Sequence, residues 1–306
     1  MRDTREDSLY AVERDEKLEW DPSVRWDSRI RPNKGWFNLN LGELMRYWDL
    51  IVLLVKRNFK VFYKQTILGP AWVVLQPLFT TLVFNVIFGS VAKLPTDGMP
   101  SFLFYMAGNI AWQYFSSCLT ETSNTFIQNG KIFGKVYFPR LVMPISTVLT
   151  QLINFLVQFA MFLCFLVFFA AQKGSAVRPD WQLILLTPLM LLEMAMLGLG
   201  FGIIVSALTT KYRDLAMLVK FGVHLWMYAT PVAYSSRLIY ANYPSLAKAF
   251  MLNPMTPVIE LFRSAYLGVE MTCGNYVAIS WITTLAVLAT GLMLFTHIER
   301  TFVDTV

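Results

Sequence analysis

The sequence predicts an all-α integral membrane protein. It has six transmembrane helices, an N-terminal amphipathic interfacial helix, and a re-entrant helical hairpin before the last span. Three observations predict this. The chain of 306 residues is 56% hydrophobic and only 15% charged, against about 25% charged residues in a soluble domain. Charge is also uneven: residues 1–35 are crowded with it, while residues 71–129 hold only Lys93, Asp97 and Glu121. Several weakly charged runs reach about twenty residues, the length that crosses a hydrocarbon core of about 30 Å.

Residues 1–42 read as a polar cytoplasmic arm, punctuated by Pro22, Pro32 and Gly35, with Trp20, Trp26 and Trp36 as docking points. The opening MRDTREDSLY lacks the apolar core of a signal peptide, so the first span is expected to direct insertion. Residues 43–69 form the interfacial segment. Leu44, Trp48, Ile51, Val52, Val55, Phe59 and Phe62 recur at helical spacing on one face, and Arg46, Arg57, Lys60 and Lys64 fall on the other. The longest apolar run there, 50–55, is too short to cross, so the helix is expected to lie with its apolar face in lipid and its cations at headgroups. Gly69-Pro70 then re-aims the chain.

Residues 70–306 hold the six-span domain, with spans expected over 71–91, 102–126, 145–171, 181–208, 215–234 and 276–295. Between the last two, residues 245–268 are broken by Pro254 and Pro257 and carry Glu260 and Arg263. That pattern suits a re-entrant hairpin, because non-helical backbone at membrane depth has to be shielded by protein. Lys and Arg near the spans favour a cytoplasmic N-terminus, which places both termini on that side. The net charge of +6 fits contact with anionic membrane lipids better than with nucleic acid. Cys118, Cys164 and Cys273 make neither a disulfide framework nor a metal spacing, and His224 and His297 read as structural.

Chemistry-bearing motifs are sparse. The run GKIFGK (130–135) has three residues between its glycines and Val136 after the lysine, where a phosphate-binding loop needs four and then Ser or Thr. GxSxG, HExxH and DxD are absent. Within the spans, polar residues form stripes at helical spacing: Gln76 and Thr80; Asn109, Gln113, Ser116, Thr120 and Asn124; Thr147, Gln151, Asn154 and Gln158. Such stripes avoid lipid and face either a neighbouring helix or a wet path. A path for a polar, neutral cargo such as sugar would use them together with Trp112 and Tyr114. Glu193, in mid-span, has to be protonated, paired or solvated. Gly198 and Gly202 suit close helix packing.

Three segments in order resemble one family. KRNFKVFYKQTILGPAWVVLQPLFTTLVFNVIFG (56–89), GKVYFPRLVMP (134–144) and NPMTPVIELFRSAYLG (253–268) resemble permeases of type 2 ABC exporters, in the branch that exports O-antigen, capsule and teichoic acid. The resemblance implies a channel-forming subunit of the bacterial inner membrane that works as a homodimer with two cytoplasmic ATPase subunits. ATP and magnesium would reside on that partner, with no cofactor or metal on this chain. The cargo would be a lipid-linked glycan. Lys56, Arg57, Lys60 and Lys64 would meet its anionic head group at the entry. Lys131, Lys135, Tyr137, Phe138, Pro139 and Arg140 would couple to the ATPase. Two alternatives are a same-fold exporter of a drug or small lipid, and a membrane enzyme acting on polyprenyl-linked sugars. The enzyme would need a clustered acid and base, and Glu193, Glu260, Glu270 and Asp214 are scattered.

Overall fold

Backbone amides away from water have to bond within their own segment, which favours helices. Every regular element among the described residues is helical. The computed structural model describes residues 41–63, 69–133, 138–209 and 215–302, all within the unit Leu39–Val306.

Two helices open the fold, α1 (Leu41–Arg46) and α2 (Trp48–Tyr63), separated by a turn at Tyr47. Asp49 in the first turn of α2 and Lys60 in the last complement the helix dipole. The expectation of one unbroken amphipathic helix is corrected in two ways. The chain breaks at Tyr47, and of the expected face Leu44, Ile51 and Val55 do pack inward, joined by Leu54, while Trp48 is half exposed. The buried side does not face lipid. It packs with Phe138, Val142 and Met143 into a small core of its own.

The first span is α3 (Ala71–Phe84), continued by a wide π-helical turn over Asn85–Val91. Pro77 inside it has no N–H to give. Its carbonyl accepts from Thr81 Oγ1 at 2.8 Å and from Asn109 Nδ2 at 3.3 Å. Next comes α4 (Ser101–Phe133), whose 33 residues span about 50 Å at 1.5 Å per residue. It is the spine of the fold, touching α3 and four of the later helices. α5 (Val142–Ala170) follows.

The fourth span, expected to be continuous over 181–208, is broken. A short α6 (Trp181–Ile184), capped by Asp180 through Gln182 N at 2.9 Å, gives way to α7 (Thr187–Thr209). Pro188 explains the interruption, since it lacks the amide that would carry a helix through. The fifth is α8 (Leu215–Tyr228), which stops after 14 residues. Irregular backbone continues to Ser235. Then come α9 (Ser236–Asn242), α10 (Pro244–Met251), α11 (Met255–Leu267) and α12 (Val277–Phe302). Four segments among the described residues are long and apolar enough to cross a bilayer: Ala71–Val91, Val142–Ala170, Thr187–Thr209 and Gly274–Thr296.

α7 lies between α4 and α12, and its glycines set both distances. A Cβ on Gly198 would sit 2.6 Å from Cys118 Cβ, and one on Gly202 would sit 2.5 Å from Thr122 Cβ. A Cβ on Gly200, on the opposite face, would sit 2.9 Å from the Leu288 backbone. The glycine pair read from the sequence therefore serves a crossing within the chain. Gly198→Leu should force α7 off α4 and cost about 1–3 kcal/mol. Thermal unfolding in detergent should show a lowered midpoint. Gly222→Leu, where a Cβ meets nothing within 4 Å, should leave it unchanged.

Candidate functional site

α11 is buried along its whole length although it carries Glu260, Arg263 and Ser264. Its polar groups are spent on neighbouring backbone. Arg263 is 3% exposed. Nη1 donates to Pro231 O at 2.6 Å and Tyr234 O at 3.3 Å, Nη2 donates to Val232 O at 2.6 Å, and Nε donates to Phe104 O at 3.3 Å. The guanidinium also lies 3.6 Å from the centre of the Phe104 ring, where the ring's negative face favours a cation. Room for it comes from Gly108, where a Cβ would stand 2.5 Å from Nη2. The planar fork suits this cage, because its donors diverge in fixed directions.

The same helix grips a second loop. Glu260 Oε2 accepts from Thr272 N at 3.0 Å, Cys273 N at 3.0 Å and Cys273 Sγ at 2.9 Å. At the entry to α11, Asn253 accepts from Trp226 Nε1 at 3.2 Å and Met255 N at 3.1 Å. It donates to Ala229 O at 3.1 Å and Thr230 Oγ1 at 2.8 Å. Ser235 donates to Asp97 at 2.6 Å, tying in the α3–α4 loop. The Arg237–Glu270 ion pair, at 2.8 Å, is exposed and contributes little.

The stripe residues divide into two groups. Asn109, Trp112 and Tyr114 are buried in the main core. Trp112 packs edge-on to Phe115 and Trp226, and Tyr114 packs against Phe155. Gln113, Ser116, Thr120 and Asn124 are half-buried, as are Gln151 and Asn154 on α5 and Thr80 on α3, and Gln76 is exposed. Much of their hydrogen bonding is local. Gln113 donates to Ser117 at 3.1 Å, Thr120 to Ser116 O at 2.8 Å, Thr80 to Gln76 O at 3.0 Å, and Asn154 to Gln151 Oε1 at 3.1 Å. Thr125, next to Asn124 on α4, has its hydroxyl 3.4 Å from that of Thr147 in the α5 stripe.

On α2, Lys56 and Lys60 are exposed, and Arg57 donates to Asn129 on α4 at 3.3 Å. Lys64 lies outside the described residues. In the loop before α5, Phe138 is 7% exposed and packs in the small core with Ile51 and Leu54, so this loop and α2 are one packed unit. Pro139 and Arg140 are half-buried beside it. Lys131 falls in the last turn of α4, and Lys135 and Tyr137 lie outside the described residues.

Several features were given no functional role from sequence, where His224 read only as structural. Lys220 and His224 stand exposed on α8, and Glu121 on α4 lies near enough to Lys220 for their charges to act on each other. Their spacing of four on an apolar helix was the available signal. Trp226 is an aromatic hub, packed on Trp112, Phe115 and Phe201. It borders an open cleft of about 560 Å³ lined also by Tyr228, Tyr234, Tyr243, Phe250 and Asn253. Among the described residues no group of three metal-ligating side chains occurs.

The profile of the ABC-2 type transporter family matches residues 49–267. The chain is similar to an O-antigen export system permease protein of Klebsiella pneumoniae, 29% identical over 270 residues that cover 87% of this chain and 96% of the relative. A protein of the same name in Myxococcus xanthus is 28% identical over 226 residues, covering 73% of this chain and 82% of the relative. A polysialic acid transport protein of Escherichia coli is 25% identical over 252 residues, covering 79% and 90%.

Arg263→Lys keeps the charge and loses the fork. A lysine cannot reach Pro231, Val232 and Phe104 carbonyls together, and stranded buried acceptors cost about 1–3 kcal/mol. The expected outcome is a lowered thermal midpoint for the purified protein. An unchanged midpoint would show that the cage carries no stability.

Proposed function

The chain belongs to the ABC-2 type transporter family, and on that premise we propose that it is the channel-forming membrane subunit of an ATP-driven exporter of lipid-linked polysaccharide. It is a multi-pass membrane permease and not itself an enzyme. The observation that carries the reading is the match along 87% of the chain to a protein named as an O-antigen export permease. The polysialic acid transport relative has the same class of cargo in its name.

In this reading α3, α4, α5, α6–α7, α8 and α12 are six crossings, and α10–α11 is a re-entrant hairpin near the outer face. Irregular backbone at membrane depth needs internal partners. Arg263 supplies them to Pro231, Val232 and Tyr234, and Asn253 to Ala229. Both termini then lie in the cytoplasm of a bacterial inner membrane, and the protein acts as a homodimer with two ATPase subunits, which hold the ATP and magnesium. Lys56, Arg57, Lys60 and Lys64 attract the anionic head group at the entry. The half-exposed Gln113, Ser116, Thr120, Gln151 and Asn154, with Gln76 and Thr80, line the path. Asn109, Trp112 and Tyr114 support that wall from behind.

ATP binding closes the ATPase pair and pushes on the loop from Lys131 to Arg140. Phe138 shares a core with Ile51, Leu54, Val142 and Met143. A push on the loop therefore moves α2 and the start of α5 together.

Two outcomes test this. Co-reconstituted with its ATPase in vesicles, the permease should move lipid-linked glycan only when ATP is present, and the isolated chain should hydrolyse none. A complex that moves a small lipid or drug but no glycan would reject the cargo. In the same system, charge reversal at Lys135 and Arg140 should leave the assembled complex hydrolysing ATP while glycan export falls about tenfold or more. Unchanged export would remove the loop from the coupling route.

A further inference from the structure

Glu193 sits near the middle of α7 and is 2% exposed. Its Oε1 lies 2.5 Å from Ser280 Oγ on α12, and that same hydroxyl lies 2.6 Å from the carbonyl of Pro254, the residue that begins α11. A serine hydroxyl owns one proton, and a backbone carbonyl owns none to give. If Glu193 were ionised, one proton would have to serve two short oxygen–oxygen contacts. One contact would then set lone pair against lone pair in a buried site. With the proton on Glu193 both contacts are filled. The carboxylic acid donates to Ser280 Oγ, and Ser280 donates to Pro254 O. Among the described residues, Ser280 is the one side chain that bonds Glu193, and no cation pairs with it.

We propose that Glu193 is held as the neutral acid and acts as a positioning residue: an acid–hydroxyl–carbonyl relay, Glu193 to Ser280 to Pro254, that fastens the start of the buried hairpin helix to α7 and α12. The relay joins three elements at one point. Gly200 and Gly291 bring α7 and α12 into backbone contact, so the two helices present Glu193 and Ser280 as one surface. Asn253, the neighbour of Pro254, is fixed from the other side by Trp226, Ala229 and Thr230. The entry to α11 is thus pinned from both flanks. The acid's proton stays in the relay, so this carboxyl is not a proton carrier.

Two arms test the proposal. The first needs no transport. Infrared difference spectra of the full-length protein in lipid nanodiscs at neutral pH, wild type against Glu193→Gln, should contain the carbonyl band of a protonated carboxyl in the wild type only. Carboxylate bands in its place would overturn the assignment, even if the exporter reading holds. The second arm rests on that reading and uses the assembled permease–ATPase complex. Gln keeps an N–H that donates to Ser280, so Glu193→Gln should export glycan within about twofold of wild type. Glu193→Ala and Ser280→Ala, which cut the relay, should lose about tenfold. Glu193→Gln as inactive as Glu193→Ala, in a complex of normal assembly, would mean that the proton or charge itself is used, and would overturn the proposal. A wild-type complex that moves no glycan would instead count against the exporter reading, and the infrared arm would still decide the relay.

Discussion

The guanidinium of Arg263 among the carbonyls of Phe104, Pro231, Val232 and Tyr234 is the contact on which the region around α11 depends. After α8 the chain leaves helical geometry, and its carbonyls have no partners of their own within apolar surroundings. One planar cation with divergent donors satisfies three of them and a fourth at the first turn of α4. The position demands Gly108 beneath it and Phe104 across its face. Once Arg263 is seated, α11 is fixed in depth and rotation. Glu260 can then hold Thr272 and Cys273, and Pro254 can meet Ser280.

A second region is built separately. α2, the Phe138 loop and the first turn of α5 form a small core apart from the main one. It is coupled to the rest through α5 and through Arg57 on Asn129 of α4. The long α4 runs between these regions, with α7 locked against it at Gly198 and Gly202. The α2 unit packs at one place, the buried α11 at another, and the close-packed spine of α4 and α7 runs between them.

The gross architecture was legible because hydrophobic run length is a strong signal. The helices over 71–91 and 142–170 fall within a few residues of expectation. Local breaks were less legible. Pro188 sits inside a strongly apolar run that masks its effect, and α8 ends where apolar residues continue into irregular backbone. The packed side of α1 and α2 keeps Leu44, Ile51 and Val55 of the expected face but leaves Trp48 out and adds Leu54, because apolar residues nearly encircle α2 and packing against Phe138 and Val142 selects among them. Arg263 could be placed in the segment broken by Pro254 and Pro257, but its partners are backbone carbonyls, which carry no sequence signature. For the same reason the need for Ser280 beside Glu193 became visible only with α12 in place. The stripes on α4 gave the correct spacing but not the inward turn of Trp112 and Tyr114, which is set by Trp226 and Phe155 on other helices.

Hydrogen exchange of the protein in nanodiscs, read by mass spectrometry, tests the role of the cage most directly. Amides of Met255–Leu267 should exchange as slowly as those of the α4 and α7 cores. In Arg263→Lys, α11 and the stretch from Pro231 to Tyr234 should lose protection together while α2 keeps its own. Fast exchange of α11 in the wild type, or loss of protection in α2 to the same degree, would contradict the account.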